Sequence, residues 1–329
     1  MKLAAALVTV YLVWGSTYLA IVVSNRTLPP LLMLSVRFLI AGALLYAWTA
    51  WRGDLGAARP GRREWRAAAV VGGLLLVVDT GAVAWAELRV PSGSAALLVA
   101  TVPAFIAVLD RVFFGVRLGF AAVAGISVGL VGVALLVGPS GSLAALGAAV
   151  ILAASLAWAA GSVYSRVAPL PKAPVVSAAL QMLCGGAMLA VVGVATGELS
   201  QVHLAQVSAA SLGAVAFLIV FGSLIAFTSY AWLLQNASSS LLSTYAYVNP
   251  AVAVFLGWAF VGEQVGSKEL VAGLVILSSI VLLVFGKAPR SAAEPIAESL
   301  APYIRRKDAQ TVEFPRPVPR LADLRRVAA

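Results

Sequence analysis

Tyr245-Ala246-Tyr247-Val248-Asn249-Pro250 is the stretch that decides the fold. It lies in an apolar run from about residue 239 to residue 261, long enough to cross a bilayer core of about 30 Å. A helix there buries two phenols, an amide and a proline in hydrocarbon, where polar side chains usually face a cavity or another helix. Proline also removes a main-chain donor and kinks a helix. The stretch therefore predicts either a substrate-facing wall or a packing kink with core tyrosines.

The composition places the whole chain in a membrane. Of its 329 residues, 61% are apolar and 11% are charged, whereas soluble domains carry about 25% charged residues. Apolar runs of about 20 residues, each long enough to span the bilayer, occur ten times. We number them spans 1 to 10, at about residues 3–23, 31–51, 67–88, 92–110, 119–138, 146–165, 174–196, 211–233, 239–261 and 269–286.

Several classes of site are excluded or disfavoured by the residue counts. Cys184 is the single cysteine and His203 the single histidine, so we expect no disulfide, no metal centre and no serine–histidine hydrolase site in the membrane. Neither a Walker loop nor a dinucleotide fingerprint is present. We therefore expect no cofactor, no ATP-driven pumping within this chain and no enzyme activity.

The chain repeats itself at an offset of 147 residues. The matched pairs are Trp85 with Trp232, Ser92 with Ser239, Pro103 with Pro250, and Gly115 with Gly262. Each half then holds five spans, and because five is odd the second half enters from the opposite side. The sequence thus predicts an all-α integral membrane protein, with ten transmembrane helices as two inverted five-helix repeats around a central cavity. We expect repeat 1 at residues 1–142, repeat 2 at 143–287, and a polar, disordered tail at 288–329 with a short surface helix near 295–307.

Helix geometry brings the marked residues to one depth. Pro103 and Pro250 each follow the start of their span by 11 residues. At 1.5 Å per residue this is about 16 Å, roughly half of the bilayer core. Trp14 and Trp158 lie about as far into spans 1 and 6. These four positions therefore indicate a site near the midplane.

The motifs resemble those of the drug/metabolite transporter superfamily, specifically its ten-helix EamA-domain members and the YedA-like group of bacterial inner-membrane transporters. The resemblance covers about residues 5–286. The matching motifs are WGSTY at 14–18, PP at 29–30 with VRF at 36–38, VPSG at 90–93 with ATVP at 100–103, GSVY at 161–164, YAYVNP at 245–250 and GE at 262–263.

This resemblance implies two five-helix repeats, a central cavity, and export of small metabolites or drugs across the bacterial cytoplasmic membrane. It leaves the substrate open. Two positions depart from the family pattern: Val116 stands where members usually carry Glu, and Asp79 stands where a small residue is expected.

The candidate substrate-binding residues are mainly the aromatic and kink positions, with one acid. They are Trp14, Tyr18, Asp79, Trp85, Pro103, Trp158, Tyr164, Tyr245, Asn249 and Pro250. Some of the aromatic residues are expected to anchor at the membrane surface or in the core instead.

Asp79 is the one acid well inside a span, which makes it a functional candidate. Arg37 lies at a matching depth in span 2, so we predict a coupling or structural ion pair between them. Direct contact of Asp79 with substrate or a proton is the alternative, and both roles are compatible.

Three functions remain at this stage. The favoured one is a secondary active transporter, exporting small amphipathic metabolites such as amino-acid-like compounds or drugs by alternating access. A passive facilitator or channel is the runner-up, and an intramembrane enzyme is disfavoured because no catalytic constellation is present. The expected partners are the lipid bilayer and a small-molecule substrate, with a proton or counter-substrate as an open possibility. The sequence leaves the oligomeric state open.

The basic residues predict the orientation. With the N-terminus inside, Arg26, Arg89 and Lys268 fall in outer loops and Arg37 lies in span 2, so the other 19 of 23 basic residues fall inside. Basic residues concentrate in cytoplasmic loops, so both termini are predicted to be cytoplasmic. This distribution accounts for the net charge of +10 without a nucleic-acid partner.

Reporter fusions test this orientation. Fusions at Gly61 and at the C-terminus should read cytoplasmic, because basic residues are retained inside. Fusions at Ser140 and Gly266 should read external, and they are the controls for the cytoplasmic fusions. An external reading at Gly61 would reverse the orientation.

Overall fold

A computed structural model describes residues 2–53, 60–116, 118–137, 143–237, 239–242 and 244–285, and the regular elements among them are all helical. The predicted tail and its surface helix lie outside the described residues. All ten predicted spans are present as helices. Spans 1 to 5 are Lys2–Ser24, Pro30–Trp51, Arg62–Ala86, Ser92–Phe114 and Phe120–Val137. Spans 6 to 8 are Leu143–Ser165, Pro174–Ala195 and Ala209–Leu234. Span 9 comprises Ser239–Leu242, Tyr245–Leu256 and Gly257–Val261, and span 10 is Ser267–Phe285.

The described residues include eight helices that are long and apolar enough to cross a membrane, and these are spans 1 to 8. Span 9 is divided into shorter pieces, of which Val248–Val261 is an apolar helix. Span 10 has Lys268 and Glu269 in its first turn. The all-helical membrane fold that the sequence predicts is thus confirmed.

Helix boundaries follow local chemistry in both halves. Spans 2 and 7 begin with Pro30 and Pro174, where the missing N–H has no helical partner to lose. Spans 4 and 9 end at Gly115 and Gly262, whose φ angles of 67° and 73° lie in the left-handed region that glycine adopts without strain. These two terminating glycines are one of the pairs that the sequence repeat matches.

The two halves run in opposite directions. The end of span 1 lies beside the end of span 3, because Asn25 Nδ2 donates to Ala84 O over 3.1 Å. The start of span 6 lies at the same face, with Gly147 against Val90. Span 6 therefore starts where span 1 ends, as inversion requires. Equivalent spans also pack on each other, span 2 against span 7 and span 5 against span 10.

Equivalent spans also carry matching irregularities. Span 3 contains a π-helical segment, Gly73–Gly81, and span 8 contains another, Leu218–Phe227. Such segments are rare and are found frequently at functional sites.

The interruption of span 9 differs from the expected kink at Pro250. The helix stops after Leu242 and restarts at Tyr245, and Pro250 lies inside Tyr245–Leu256. In span 4 the break does fall beside the proline, since Pro103 is in the first turn of Val102–Phe114. A proline in the first turn of a helix loses no main-chain hydrogen bond, whereas a proline inside a helix, such as Pro250, lacks the N–H that would donate one. The two matched prolines therefore have different local roles.

Two glutamates satisfy helix starts at the same face of the protein. The Glu263 carboxylate accepts from the main-chain N–H groups of Ser92 (2.8 Å) and Gly93 (3.2 Å) at the start of span 4. Glu198 accepts in the same way from Leu31 (3.2 Å) and Leu32 (2.9 Å) at the start of span 2. A carboxylate is favourable there because helix starts present free N–H groups and partial positive charge.

Glu263→Ala should lower the free energy of unfolding by roughly 1–3 kcal/mol. The substitution removes the acceptor of two main-chain N–H groups, those of Gly93 and of the fully buried Ser92. Denaturation in detergent measures the loss. The exposed neighbour Gln264→Ala is the matched control and should be near neutral. Equal stability of the two variants would contradict a structural role of the Glu263 carboxylate.

Candidate functional site

A cavity lies at the centre of the helices. Its volume is about 80 Å³, below the roughly 300–1,000 Å³ of ordinary small-molecule sites. The polar or aromatic side chains that line it come from spans 1, 2, 3, 6, 8 and 9. They are Trp14, Thr17, Tyr18, Arg37, Phe38, Asp79, Thr80, Trp158, Phe227, Tyr245 and Asn249. We call this the central cavity.

Four aromatic side chains form one wall of the central cavity and extend beyond it. The ring centroid of Trp14 lies 5.4 Å from that of Trp158, 4.8 Å from that of Tyr230 and 5.7 Å from that of Tyr245. The contacts of Trp14 with Trp158 and Tyr245 are edge-to-face, the arrangement that aromatic pairs prefer. We call Trp14, Trp158, Tyr230 and Tyr245 the aromatic cluster.

The aromatic cluster separates the central cavity from a second one of about 50 Å³. Tyr230 and Tyr245 line the second cavity together with Ser162 and Arg166. Tyr230 is held there by a 3.0 Å hydrogen bond between its hydroxyl and Ser162 Oγ. Beyond it, Arg166 Nη1 contacts Asp110 Oδ1 at 2.9 Å and joins span 4 to the end of span 6.

Arg37 reaches the central cavity from span 2 with only 5% of its surface exposed. Its Nε donates to Ser223 Oγ over 2.9 Å, and its guanidinium carbon lies 4.7 Å from the ring centroid of Phe38. Ser223 belongs to the π-helical segment of span 8. Gly222 leaves the room for this contact, since a Cβ there would lie 2.8 Å from Arg37 Nη2.

Asp79 faces the same cavity from the π-helical segment of span 3 and is 6% exposed. Its Oδ1 has no hydrogen-bond partner in the described structure. Among the described residues, no ion pair within 4.0 Å joins Asp79 to Arg37. In this conformation the Arg37 guanidinium bonds to Ser223 of span 8, and its pairing with Asp79 stays a prediction.

Asn249 joins two helices as well as lining the cavity. Its amide has two main-chain carbonyls on one side, so we assign the nitrogen to that side. Nδ2 then donates to Tyr11 O over 3.0 Å and to Tyr245 O over 3.2 Å. The Tyr11 hydroxyl also bonds to Thr244 Oγ1. The Asn249 amide thus holds span 9 against span 1.

The structure brings six of the ten candidate binding residues to the central cavity: Trp14, Tyr18, Asp79, Trp158, Tyr245 and Asn249. The other four are not among the residues that line it. Trp85 stacks under Arg89, whose guanidinium carbon is 4.0 Å from the ring centroid, and Tyr164 is 36% exposed on the outer surface. Pro103 is buried in span 4, and Pro250 lines a groove between spans 4, 9 and 10.

That groove is larger than the central cavity, at about 610 Å³, but it has a different character. Phe255 and Trp258 line it and are more than half exposed, so it opens on the apolar outside of the helices. Its Glu263 is already engaged with the start of span 4. The central cavity, in contrast, holds the buried and incompletely partnered side chains of Arg37 and Asp79.

Sequence reasoning missed some important positions. Ser223 gave no signal, because serine is common in membrane helices and its bond to Arg37 crosses 186 residues. Glu87 was missed because it stands at a predicted span end beside Arg89. It is buried, and neither of its carboxylate oxygens has a hydrogen-bond partner in the described structure.

The family model for the EamA-like transporter family matches this chain over residues 1–138 and 145–285. The chain belongs to the EamA-like transporter family. This EamA protein is a transporter, not an enzyme, and its two matched segments correspond to the two halves of the fold.

Individual relatives agree with this membership. The chain is 40% identical over 290 residues to the uncharacterized inner membrane transporter YedA of Escherichia coli K12, covering 87% of this chain and 92% of that protein. It is 26% identical over 287 residues to a probable terminal-alkyne amino-acid exporter of Streptantibioticus cattleyicolor, covering 84% and 92%. A solved crystal structure has the same fold, with a TM-score of 0.66, 23% identity, and coverage of 87% of this chain and 98% of that one.

Ser223→Ala should destabilise the protein by about 1–2 kcal/mol. This is the upper part of the range for hydrogen bonds between membrane helices, because the donor is charged and buried. Unfolding in detergent measures the change. The matched control is Ser229→Ala in the same span, whose exposed hydroxyl bonds only to its own helix at Ile225 O. Equal effects of the two substitutions would contradict the contact between Arg37 and Ser223.

Proposed function

We propose that this EamA protein is a secondary active exporter of small amphipathic metabolites, and that the substrate site is the central cavity. One observation carries the proposal: a buried cavity between the two repeats holds Arg37 and Asp79 without pairing them. Unpaired charges are costly inside a membrane and are typical of substrate or ion pathways. The probable amino-acid exporter among its relatives supports a substrate of amino-acid-like chemistry.

The small volume of the central cavity supports transport by alternating access. A cavity of about 80 Å³ is too small for a metabolite of ordinary size, so the site has to widen during the cycle. The aromatic cluster and the ion pair of Asp110 with Arg166 close one side. The start of span 4, held by Glu263, contributes to the opposite side. Rocking of one repeat against the other would open these two sides in turn.

We place the protein in the bacterial cytoplasmic membrane with both termini in the cytoplasm. The inner-membrane relative and the excess of basic residues in alternate loops support this placement. In this orientation the side closed by Asp110 and Arg166 faces the cytoplasm. The repeats would then extend over residues 1–142 and 143–287, with the tail from residue 288 inside.

Flux in proteoliposomes tests the function. Purified protein should give saturable flux of at least one class among amino acids, nucleosides and amphipathic cations, and the flux should respond to a proton or ion gradient. Flux that ignores every imposed gradient would identify a passive facilitator instead. Absence of protein-dependent flux in all three classes would reject the proposed function.

Trp14→Ala should weaken the apparent affinity for the transported class about fivefold or more, since aromatic contact with a bound group is worth about 1 kcal/mol. KM and the melting temperature are measured on the same preparation. Trp48→Ala is the matched control, because Trp48 lies on the outer surface of span 2 and is 51% exposed. A lower melting temperature with unchanged KM would assign Trp14 to packing alone.

A further inference from the structure

The central cavity contains one basic and one acidic side chain that do not pair with each other. Arg37 and Asp79 are both more than nine-tenths buried, and every other residue described as lining the cavity is uncharged. A guanidinium has five N–H donors, and the described structure uses only Nε, in the bond to Ser223. Asp79 likewise has an oxygen without a hydrogen-bond partner.

This arrangement discriminates between ligands by charge. A cationic ligand would meet the repulsion of Arg37, and an anionic ligand that of Asp79, in surroundings where charges are poorly screened. A neutral ligand would leave both charges without a counter-ion. A ligand with one charge of each sign can satisfy both groups at once, provided that its two charges are separated by a short, fixed distance.

We propose that the central cavity recognises zwitterionic α-amino acids, with the substrate carboxylate on the Arg37 guanidinium and its ammonium group on Asp79. This inference rests on the proposed function. Arg37 presents planar paired donors, which match a carboxylate, and a carboxylate such as Asp79 is an acceptor that can take an ammonium donor. The substrate thereby bridges two groups that the protein itself leaves apart.

The rest of the cavity wall defines the side chain that the ligand carries. Phe38, Leu76, Val83, Val99 and Phe227 surround the two charges with apolar surface. The aromatic cluster closes one end with the rings of Trp14 and Trp158. An apolar side chain therefore fits this wall, whereas a charged side chain would be buried without a partner.

The π-helical segments hold the two charges in place. Asp79 belongs to the segment of span 3, and Ser223, which orients Arg37, belongs to the segment of span 8. Gly222 is a positioning residue, because any side chain there would push the guanidinium from its present place. The distance between the two charges is consequently set by contacts between the repeats.

Binding assays on the full-length protein in detergent test the inference. The probes are alanine, valine, leucine, methionine, phenylalanine and tryptophan, followed by matched analogues of the tightest binder that lack only the carboxylate or only the ammonium group. The wild type should bind each analogue at least tenfold more weakly than the parent amino acid. If none of the six amino acids binds, or if the analogues bind as tightly as the parent, the inference fails.

Two variants should lose discrimination in a crossed pattern. The Asp79→Asn variant should bind the parent amino acid and the analogue without the ammonium group with affinities that agree to within about threefold. It should still bind the analogue without the carboxylate much more weakly. The Arg37→Gln variant should accept the analogue without the carboxylate and still reject the analogue without the ammonium group. A purely structural role would weaken all three ligands by the same factor, and that result would overturn the assignment.

Gly222→Ala keeps both charges and gives an independent variant if Arg37→Gln does not fold. It should reduce discrimination against the analogue without the carboxylate and leave the other discrimination intact. If Asp79→Asn instead abolishes gradient-driven flux but still rejects the analogue without the ammonium group, Asp79 serves the coupling proton and the inference fails. Gradient-driven flux of non-zwitterionic compounds alone would reject it while the proposed function stands.

Discussion

A membrane interior provides no water to hydrogen-bond exposed polar groups, and the architecture of this protein depends on that constraint. Main-chain N–H groups at two helix starts receive carboxylates from distant parts of the chain, Glu198 at span 2 and Glu263 at span 4. Both contacts cross from one repeat to the other. The halves are therefore joined at their helix ends as well as by the packing of equivalent spans.

The same constraint distinguishes the central cavity from the rest of the interior. Several buried polar side chains bond to a carbonyl of their own helix, as Ser155 does to Ile151 and Ser24 to Ile21. Arg37 and Asp79 differ, because each retains unused hydrogen-bonding capacity within a cavity. A transporter has to release its substrate, so a site whose groups satisfied each other permanently would have no use for a ligand. Incomplete pairing is thus an expected property of a site that binds and releases a ligand.

The two repeats match in backbone structure but carry different side chains at specific positions. The turns at Gly115 and Gly262 match, yet Glu263 reaches across to span 4 while its counterpart Val116 cannot accept a hydrogen bond through its side chain. The π-helical segments of spans 3 and 8 match in place, but one supplies the acid and the other the partner of the base. The asymmetric ligand that we propose would use this division, because its two ends need different chemistry.

The sequence by itself determined the ten spans, the repeat and the family, because apolar run length, the Trp, Pro and Gly matches, and short motifs are local properties of the chain. It also indicated Trp14, Trp158, Tyr245 and Asp79 as cavity residues, since depth along a helix follows from counting. Only the tertiary structure decided which way each side chain faces. Tyr164 and Pro250 lie on faces of their helices that do not line the central cavity, and Arg37 bonds to Ser223 and not to Asp79. Counting along a helix gives only the depth of a residue in the membrane. A contact also depends on how the helices are rotated and placed, which is set by the packing of spans that are far apart in sequence.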